Sequence, residues 1–313
     1  MRLEGRSAAR PGPAGAVLAL LLAAVLLPAC SVQKMAADRL GAALASGNSV
    51  YATDDDPELV GDALPFALKT IESLLAISPE NPDLLLSAAS GFTQYSYAYL
   101  QSEADYVEGT DLPRATHLRG RATRMYERAL GYGQRGLEAR HPGFTAELRR
   151  DPAAALAKTT VKDVPLLYWT GAAWAAAIAS AKDDSELSAD LPTVEAIMTR
   201  ARALDPGYGD GAIWDFFISY DGGRPAAAGG SPARAREAFD KAVAASGGKR
   251  AAPYVSYAET VSISTQDRKE FATLLETALA IDPDAAPEQR LANLIAQKRA
   301  RWLLARQDEL FLE

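Results

Sequence analysis

Few residues in this chain are equipped for covalent or metal chemistry: two histidines, His117 and His141, and one cysteine, Cys30, among 313 residues. No G-x-S-x-G elbow presents a serine, so nucleophilic catalysis has neither a poised nucleophile nor a paired base. His117 falls near the start of an expected helix and reads as a surface residue. His141 precedes Pro142, where an imidazole caps the last carbonyls of a helix. Without an H-E-x-x-H pair the two make no zinc set. Ser246-Gly247-Gly248-Lys249 has S-x-x-K spacing, but it sits at a glycine-rich helix end and reads as a cap and turn. Asp54-Asp55-Asp56 lacks the spacing of an EF-hand loop and reads as a solvated acidic loop. Gly131-Tyr132-Gly133-Gln134-Arg135-Gly136 satisfies G-x-G-x-x-G, yet it follows an amphipathic helix (Ala122, Met125, Tyr126, Ala129, Leu130) where a dinucleotide site needs a strand. These glycines are expected to let helices pack closely. The chain is therefore expected to be no enzyme and to use no metal or cofactor. One catalytic alternative remains, a hydrolase of envelope polymers, which needs two carboxylates facing across a cleft within roughly 10 Å.

Residue types suited to non-covalent binding are better represented. Tyr95, Tyr97, Tyr99, Trp169, Trp174, Trp214, Phe216, Phe217, Tyr254 and Tyr257 fall on the first helices of successive expected hairpins, the helices that line the inner surface of a repeat array. Most should fill the core, and a minority can line a groove or pore for an apolar ligand. The last helix places Arg290, Asn293, Gln297 and Arg301 on one face, opposite Leu291, Leu294, Ile295 and Trp302. Such a face is either solvated or bonded to a partner. The expected ligand or partner contacts are Tyr168, Trp169, Trp174, Trp214, Phe217, Tyr254, Tyr257, Asn293 and Gln297.

The elements that must position these residues are helices. Alternating β-branched runs are nearly absent, while Phe271, Leu274, Leu275, Ala278 and Leu279 form an apolar stripe at i, i+3, i+4, i+7 and i+8. Helix stops recur at Ile77-Ser78-Pro79, Arg140-His141-Pro142, Leu204-Asp205-Pro206 and Ile281-Asp282-Pro283. They delimit an opening helix, Leu64–Ile77, and the hairpins Pro82–Leu100 with Ala115–Ala139, and Val164–Ala181 with Pro192–Leu204. Gly209–Tyr220 with Pro232–Ala245 and Pro253–Ser264 with Asp267–Ile281 follow, and a helix over Pro287–Leu310 is expected to cap the stack. Tyr168-Trp169-x-Gly171-x-x-Trp174 echoes the first helix of a tetratricopeptide repeat, so the expected fold is an all-α, tetratricopeptide-like helical-hairpin solenoid.

The N-terminus sets the compartment. Arg2, Arg6 and Arg10 precede an apolar run, Ala16 to Leu27, that is too short for the roughly 20 residues of a spanning helix. It ends in Leu27-Pro28-Ala29-Cys30, which resembles the bacterial lipobox, so residues 1–29 are expected to be a lipoprotein signal peptide and Cys30 the lipidated residue. Residues 30–57 then form a lipidated N-terminus and tether, and 58–313 a single helical repeat domain. Losing Arg2, Arg6, Arg10 and Glu4 takes +2 from the chain's −7 and leaves −9, a charge that disfavours nucleic acid. By resemblance to sorting signals, Ser31 favours the periplasmic face of the outer membrane.

The block Ser246-Gly247-Gly248-Lys249-Arg250, Pro253-Tyr254-Val255, Tyr257-Ala258-Glu259 and Gln266-Asp267-Arg268 continues through Arg290-Leu291-Ala292-Asn293 and Gln297-x-Arg299-Ala300-Arg301-Trp302. Together with Leu167-Tyr168-Trp169 and Tyr97-Ala98-Tyr99 it resembles the TRAP transporter T-component (TatT) family of lipoproteins. The resemblance implies cryptic tetratricopeptide-like repeats, a homotrimer around an apolar channel, and a partner in the periplasmic solute-binding protein of a TRAP-type transporter. A small apolar or organic-acid ligand would enter the channel. The alternative is an outer-membrane lipoprotein adaptor that docks peptides or envelope-assembly proteins.

Overall fold

The computed structural model describes residues 33–42, 50–181 and 184–312; Cys30 and the expected signal peptide, residues 1–29, lie outside them. The described residues are helical and contain no strand, as the sequence leads one to expect.

Five of the described α-helices begin with a short polar side chain that caps the first turn and a proline just after it. After a helix over residues 33–42 (α1), Asp56 accepts from Glu58 N and Leu59 N to start α2 (Pro57–Ile77). Asn81 does the same for α3 (Pro82–Tyr95). The pattern of an oxygen acceptor at the cap and a preset proline dihedral just inside satisfies amide groups that the helix itself leaves orphaned. After α4 (Ser102–Val107) it recurs with Asp111 at α5 (Leu112–Arg140), and after α6 (Phe144–Arg150) with Asp151 at α7 (Pro152–Ala157). The chain continues through α8 (Val164–Ser180), α9 (Ser185–Ser188), α10 (Leu191–Leu204), α11 (Tyr208–Gly222), α12 (Pro232–Ala245) and α13 (Ala252–Tyr257). It ends with α14 (Arg268–Ala280), α15 (Arg290–Ala305) and α16 (Gln307–Leu310). The stripe on α14 is buried as its spacing requires, with Phe271, Leu274, Leu275 and Ala278 in the core.

The structure departs from the expected boundaries in several places: α2 begins at Pro57 ahead of the expected Leu64, and the helix expected over Pro287–Leu310 is divided between α15 and α16. Between α3 and α4 the helix runs on as a π-helical segment, Ser96–Gln101, and α13 continues as another, Ala258–Ser262. In both, a hydroxyl competes for a carbonyl four residues back: Ser96 donates to Phe92 O at 2.6 Å and Thr260 to Ser256 O at 2.6 Å. Such back-bonding loosens the i→i+4 ladder. Helices α6 and α7 fill a stretch with no assigned element, because two turns are too short to display a period. The first turn of α11 is left-handed at Gly209, Asp210 and Gly211 (φ 59°, 53° and 92°). Glycine is required at Gly211, where a Cβ would sit 3.0 Å from that of Ala245.

Packing follows the hairpins: α3 lies on α5, α8 on α10, α11 on α12, and α13 on α14. A second set of contacts joins the first helices in succession, α3 to α8, α8 to α11, α11 to α13 and α13 to α15. The G-x-G-x-x-G glycines lie inside α5, where they bring it against α8. A Cβ on Gly133 would collide with Thr170, and one on Gly136 would lie 2.5 Å from Leu166, whereas Gly131 faces open space.

The last long helix does more than cap the stack. Leu291 N donates to Ala52 O at 3.1 Å and Arg290 Nη1 to Thr53 O at 2.9 Å. Further along α15, Arg299 Nη1 reaches Asp105 Oδ2 of α4 at 2.9 Å across 194 residues of sequence, and Trp302 meets Tyr106 edge to face at 5.5 Å. The line of first helices thus closes from α15 back onto α4. Near the other terminus, Asp38 of α1 accepts from Ser78 Oγ (2.6 Å) and Asn81 Nδ2 (2.7 Å), which fastens α1 to the α2–α3 turn.

Candidate functional site

Seven side chains converge closely enough to act on one another electrostatically: Tyr97, Tyr106, Tyr168, Asp215, Arg250, Glu259 and Arg299. The diagnostic one is Tyr97, on the first π-helical segment. It keeps 46% of its surface exposed. Yet burial among protein raises the proton affinity of its hydroxyl, and Glu259, Arg299, Tyr106 and Asp215 all act on it electrostatically. A ring wet on its surface and walled by residues from α4, α11, the second π-helical segment and α15 lies in a concavity. Tyr168 on α8 is half-buried, and burial likewise raises its hydroxyl, with Arg250 opposing the shift and Asp215 adding to it. Both π-helical segments lie on this wall, carrying Tyr97 and Glu259; local π geometry recurs where a helix must present side chains for function.

Two guanidinium groups in the wall differ in how completely they are used. Arg299 is saturated. It bonds Asp105 at 2.9 Å, grips Glu259 through Nε (3.3 Å) and Nη2, and stacks over Trp302 at 4.3 Å. Burial would lower its proton affinity, but Glu259 and Asp105 outweigh it and raise it. Arg250 is loosely held: its contacts are Asp210 O at 3.4 Å and Asp215 Oδ2 at 3.5 Å, both at the outer limit of a hydrogen bond. Asp215 has a buried Oδ1 with no hydrogen-bond partner, and burial pushes its carboxyl above the usual range against the pull of Arg250 and Ser256. Glu259 and Asp105 also converge, but on the guanidinium they share, so they do not present the opposed acid and base of a glycosidase.

The residues expected from the sequence to make contacts separate into distinct groups. Only Tyr168 stands on this wall, and Trp169 packs against it edge to face at 5.0 Å. Trp174, Phe217 and Tyr257 are core residues at 6%, 3% and 5% exposure. Trp214 shares the Arg202 guanidinium with Phe217, at 5.2 and 4.1 Å, and Tyr254 packs on Phe239 of α12 at 5.4 Å, so both turn toward the second helices. Asn293 and Gln297 are buried, and their amide groups are spent within the chain. Asn293 accepts from Ala251 N and donates to Lys249 O, both at 2.9 Å. Gln297 donates to Ala278 O and Ile281 O at 3.1 and 2.7 Å. They staple α15 to the start of α13 and the end of α14. The polar stripe on α15 is therefore partly an internal seam.

Among the described residues no group of three or more His, Cys, Asp or Glu side chains is arranged to hold a metal ion. No helix among them is long and apolar enough to cross a membrane. The family model described as TRAP transporter T-component matches residues 53–311. The chain belongs to that family. An uncharacterized protein of Treponema pallidum (strain Nichols) is 31% identical to this T-component over 268 residues, covering 84% of this chain and 83% of its own. The matched span takes in the whole wall from Tyr97 to Arg299, both π-helical segments and the contacts that close the array. It ties the protein to TRAP transporters.

Proposed function

We propose that this T-component is a lipid-anchored periplasmic helical-repeat protein that binds the solute-binding protein of a TRAP-type transporter and takes a small apolar or organic-acid ligand into its interior. The family match over residues 53–311 carries the reading. The half-exposed Tyr97, surrounded by residues from α4, α11 and α15, supports it, since such a concavity can receive a small molecule. Anchoring rests on the signal peptide and on Cys30, with Ser31 favouring the periplasmic face of the outer membrane. In this reading the role is non-catalytic, the wall residues acting by stacking, burial and hydrogen bonding. Self-association as a homotrimer has a surface available in α2, where Leu59 and Phe66 share one face and remain 59% and 80% exposed.

The test is a pull-down of the detergent-extracted, lipidated protein from its own membranes, with mass spectrometry of proteins and small molecules. A periplasmic solute-binding protein in near-stoichiometric amount is the expected result. Recovery of assembly factors or peptidoglycan enzymes in its place would overturn the transporter reading in favour of an envelope adaptor.

A further inference from the structure

We propose that Arg250 is the centre of a carboxylate-binding subsite on the inner wall, taking the ligand's carboxylate in competition with Asp215, which holds it only loosely. The inference deepens the preceding one and rests on its premise that the interior holds a small molecule.

The argument begins with an imbalance. The Arg250 side chain is nine-tenths buried at 11% exposure, which strips a guanidinium of water, yet its two protein contacts are 3.4 and 3.5 Å long. A planar fork with five donors and two weak acceptors has bonding capacity left for a carboxylate. Arg299, equally buried, shows what saturation looks like on the same wall: two carboxylates and an aromatic stack. The acceptor side matches. Asp210 is held at φ 53° between two glycines, in the left-handed region that residues with a Cβ rarely adopt. Its carbonyl faces Arg250, and its carboxylate is fixed by Gln289 Nε2 at 2.8 Å. Strain of this kind persists where surrounding structure pins a functional group.

Asp215 beside Arg250 could be taken for an internal counter-ion. Its geometry makes it a weak one: one oxygen is sealed without a partner and the other is 3.5 Å from the guanidinium. Burial raises its carboxyl above the ordinary range against the pull of Arg250 and Ser256, and its charge acts in turn on Tyr97 and Tyr168. At 3.5 Å Asp215 compensates the charge of Arg250 only loosely, which leaves the guanidinium able to take an incoming anion. One guanidinium suits a monoanion. The remaining carboxylates of the wall, Glu259 and Asp105, are already matched by Arg299, so a dianion would meet no second cation. The rings of Tyr97 and Tyr168 offer an apolar flank for a short alkyl or aryl body.

The probe is benzoate, with benzyl alcohol as its uncharged counterpart, in equilibrium dialysis against the full lipidated protein in detergent. Benzoate is expected to bind about tenfold or more tightly than the alcohol, the worth of a charge-assisted pair. Arg250→Met should abolish that preference, while Asp215→Asn, which keeps the shape and removes a competing charge, should tighten benzoate binding about fivefold at pH 8. Thermal unfolding confirms that each variant is folded. If Arg250→Met does not fold, Asp215→Asn decides alone: unchanged or weakened benzoate binding overturns the proposal. Equal affinity for both probes overturns the subsite and leaves an apolar interior standing. Binding of neither overturns both.

Discussion

Replacing Arg299 with methionine tests whether the array is held closed by this side chain. The guanidinium is 11% exposed and its partners Asp105 and Glu259 are 22% and 31% exposed. Removing one member of a buried ion pair costs about 3–5 kcal/mol, because the charge left behind is desolvated without compensation. Here the remaining carboxylates keep some water, and Asp105 retains Arg119 at 3.1 Å, so the electrostatic loss lies at the low end, about 3 kcal/mol. Losing the stack on Trp302 adds about 0.5–1 kcal/mol. At roughly 2–4 °C per kcal/mol for a chain of this size, the electrostatic part alone should lower Tm by roughly 6–12 °C. Calorimetry of the detergent-solubilised protein measures the loss, and hydrogen exchange should rise first in α4 and α15. Adding Glu259→Gln and Asp105→Asn to the methionine variant removes the stranded charges and should restore at least half of the stability. A Tm within about 3 °C of wild type, or no recovery in the triple variant, would refute the reasoning.

Three further outcomes follow from the packing. Gly133→Ala should destabilise by about 1–3 kcal/mol because its Cβ collides with Thr170, whereas Gly131→Ala, which meets open space, should stabilise by up to about 1 kcal/mol; urea denaturation separates the two. Asn293→Ala should cost about 2–4 kcal/mol by stranding Ala251 N and Lys249 O, yet leave partner recovery intact where the variant is folded; lost recovery with wild-type stability would return Asn293 to a binding role. The hydrogen bonds from Ser78 and Asn81 hold the Asp38 carboxyl below its ordinary range, with Lys34 adding to the effect. Its contribution to docking α1 is then present above the unfolded value of about 3.9 and lost as pH falls below it. Protection of the amides of residues 33–42, taken relative to their intrinsic exchange rate at each pH, should be high at pH 6 and lost at pH 3, and low at both in Asp38→Ala.

Much of the helical framework is legible because its signals are local. The prolines after Ile77-Ser78, Arg140-His141 and Leu204-Asp205 mark helix ends, and the Phe271–Leu279 stripe declares its buried face by spacing alone. The G-x-G-x-x-G run could be set aside from its context, and the structure supplies the collision partners that explain it. What stayed hidden depends on distant neighbours. Periodicity gives Asn293 and Gln297 a common face but does not say what lies opposite, and the answer is a helix end in the same chain. The contact from Arg299 to Asp105 spans 194 residues and leaves no local trace. The π-helical segments arise from hydroxyl back-bonds that a helical pattern tolerates. Asp215 did carry a signal, a lone carboxylate within Ile213-Trp214-Asp215-Phe216-Phe217-Ile218, where an ion needs a reason to be.

The return of α15 to α4 and to residues 52–53 also bears on how such a protein can evolve. An open stack of hairpins lengthens by duplication, each new unit needing only one docking face and a polar outer cap. A closed circuit has no free end to extend. An added hairpin must either break the seam at Arg299 or widen the whole circumference, much as strand number fixes the bore of a barrel. The width of the interior is thereby tied to the number of hairpins the gene encodes, and point substitutions on the wall are left to adjust what fits within it.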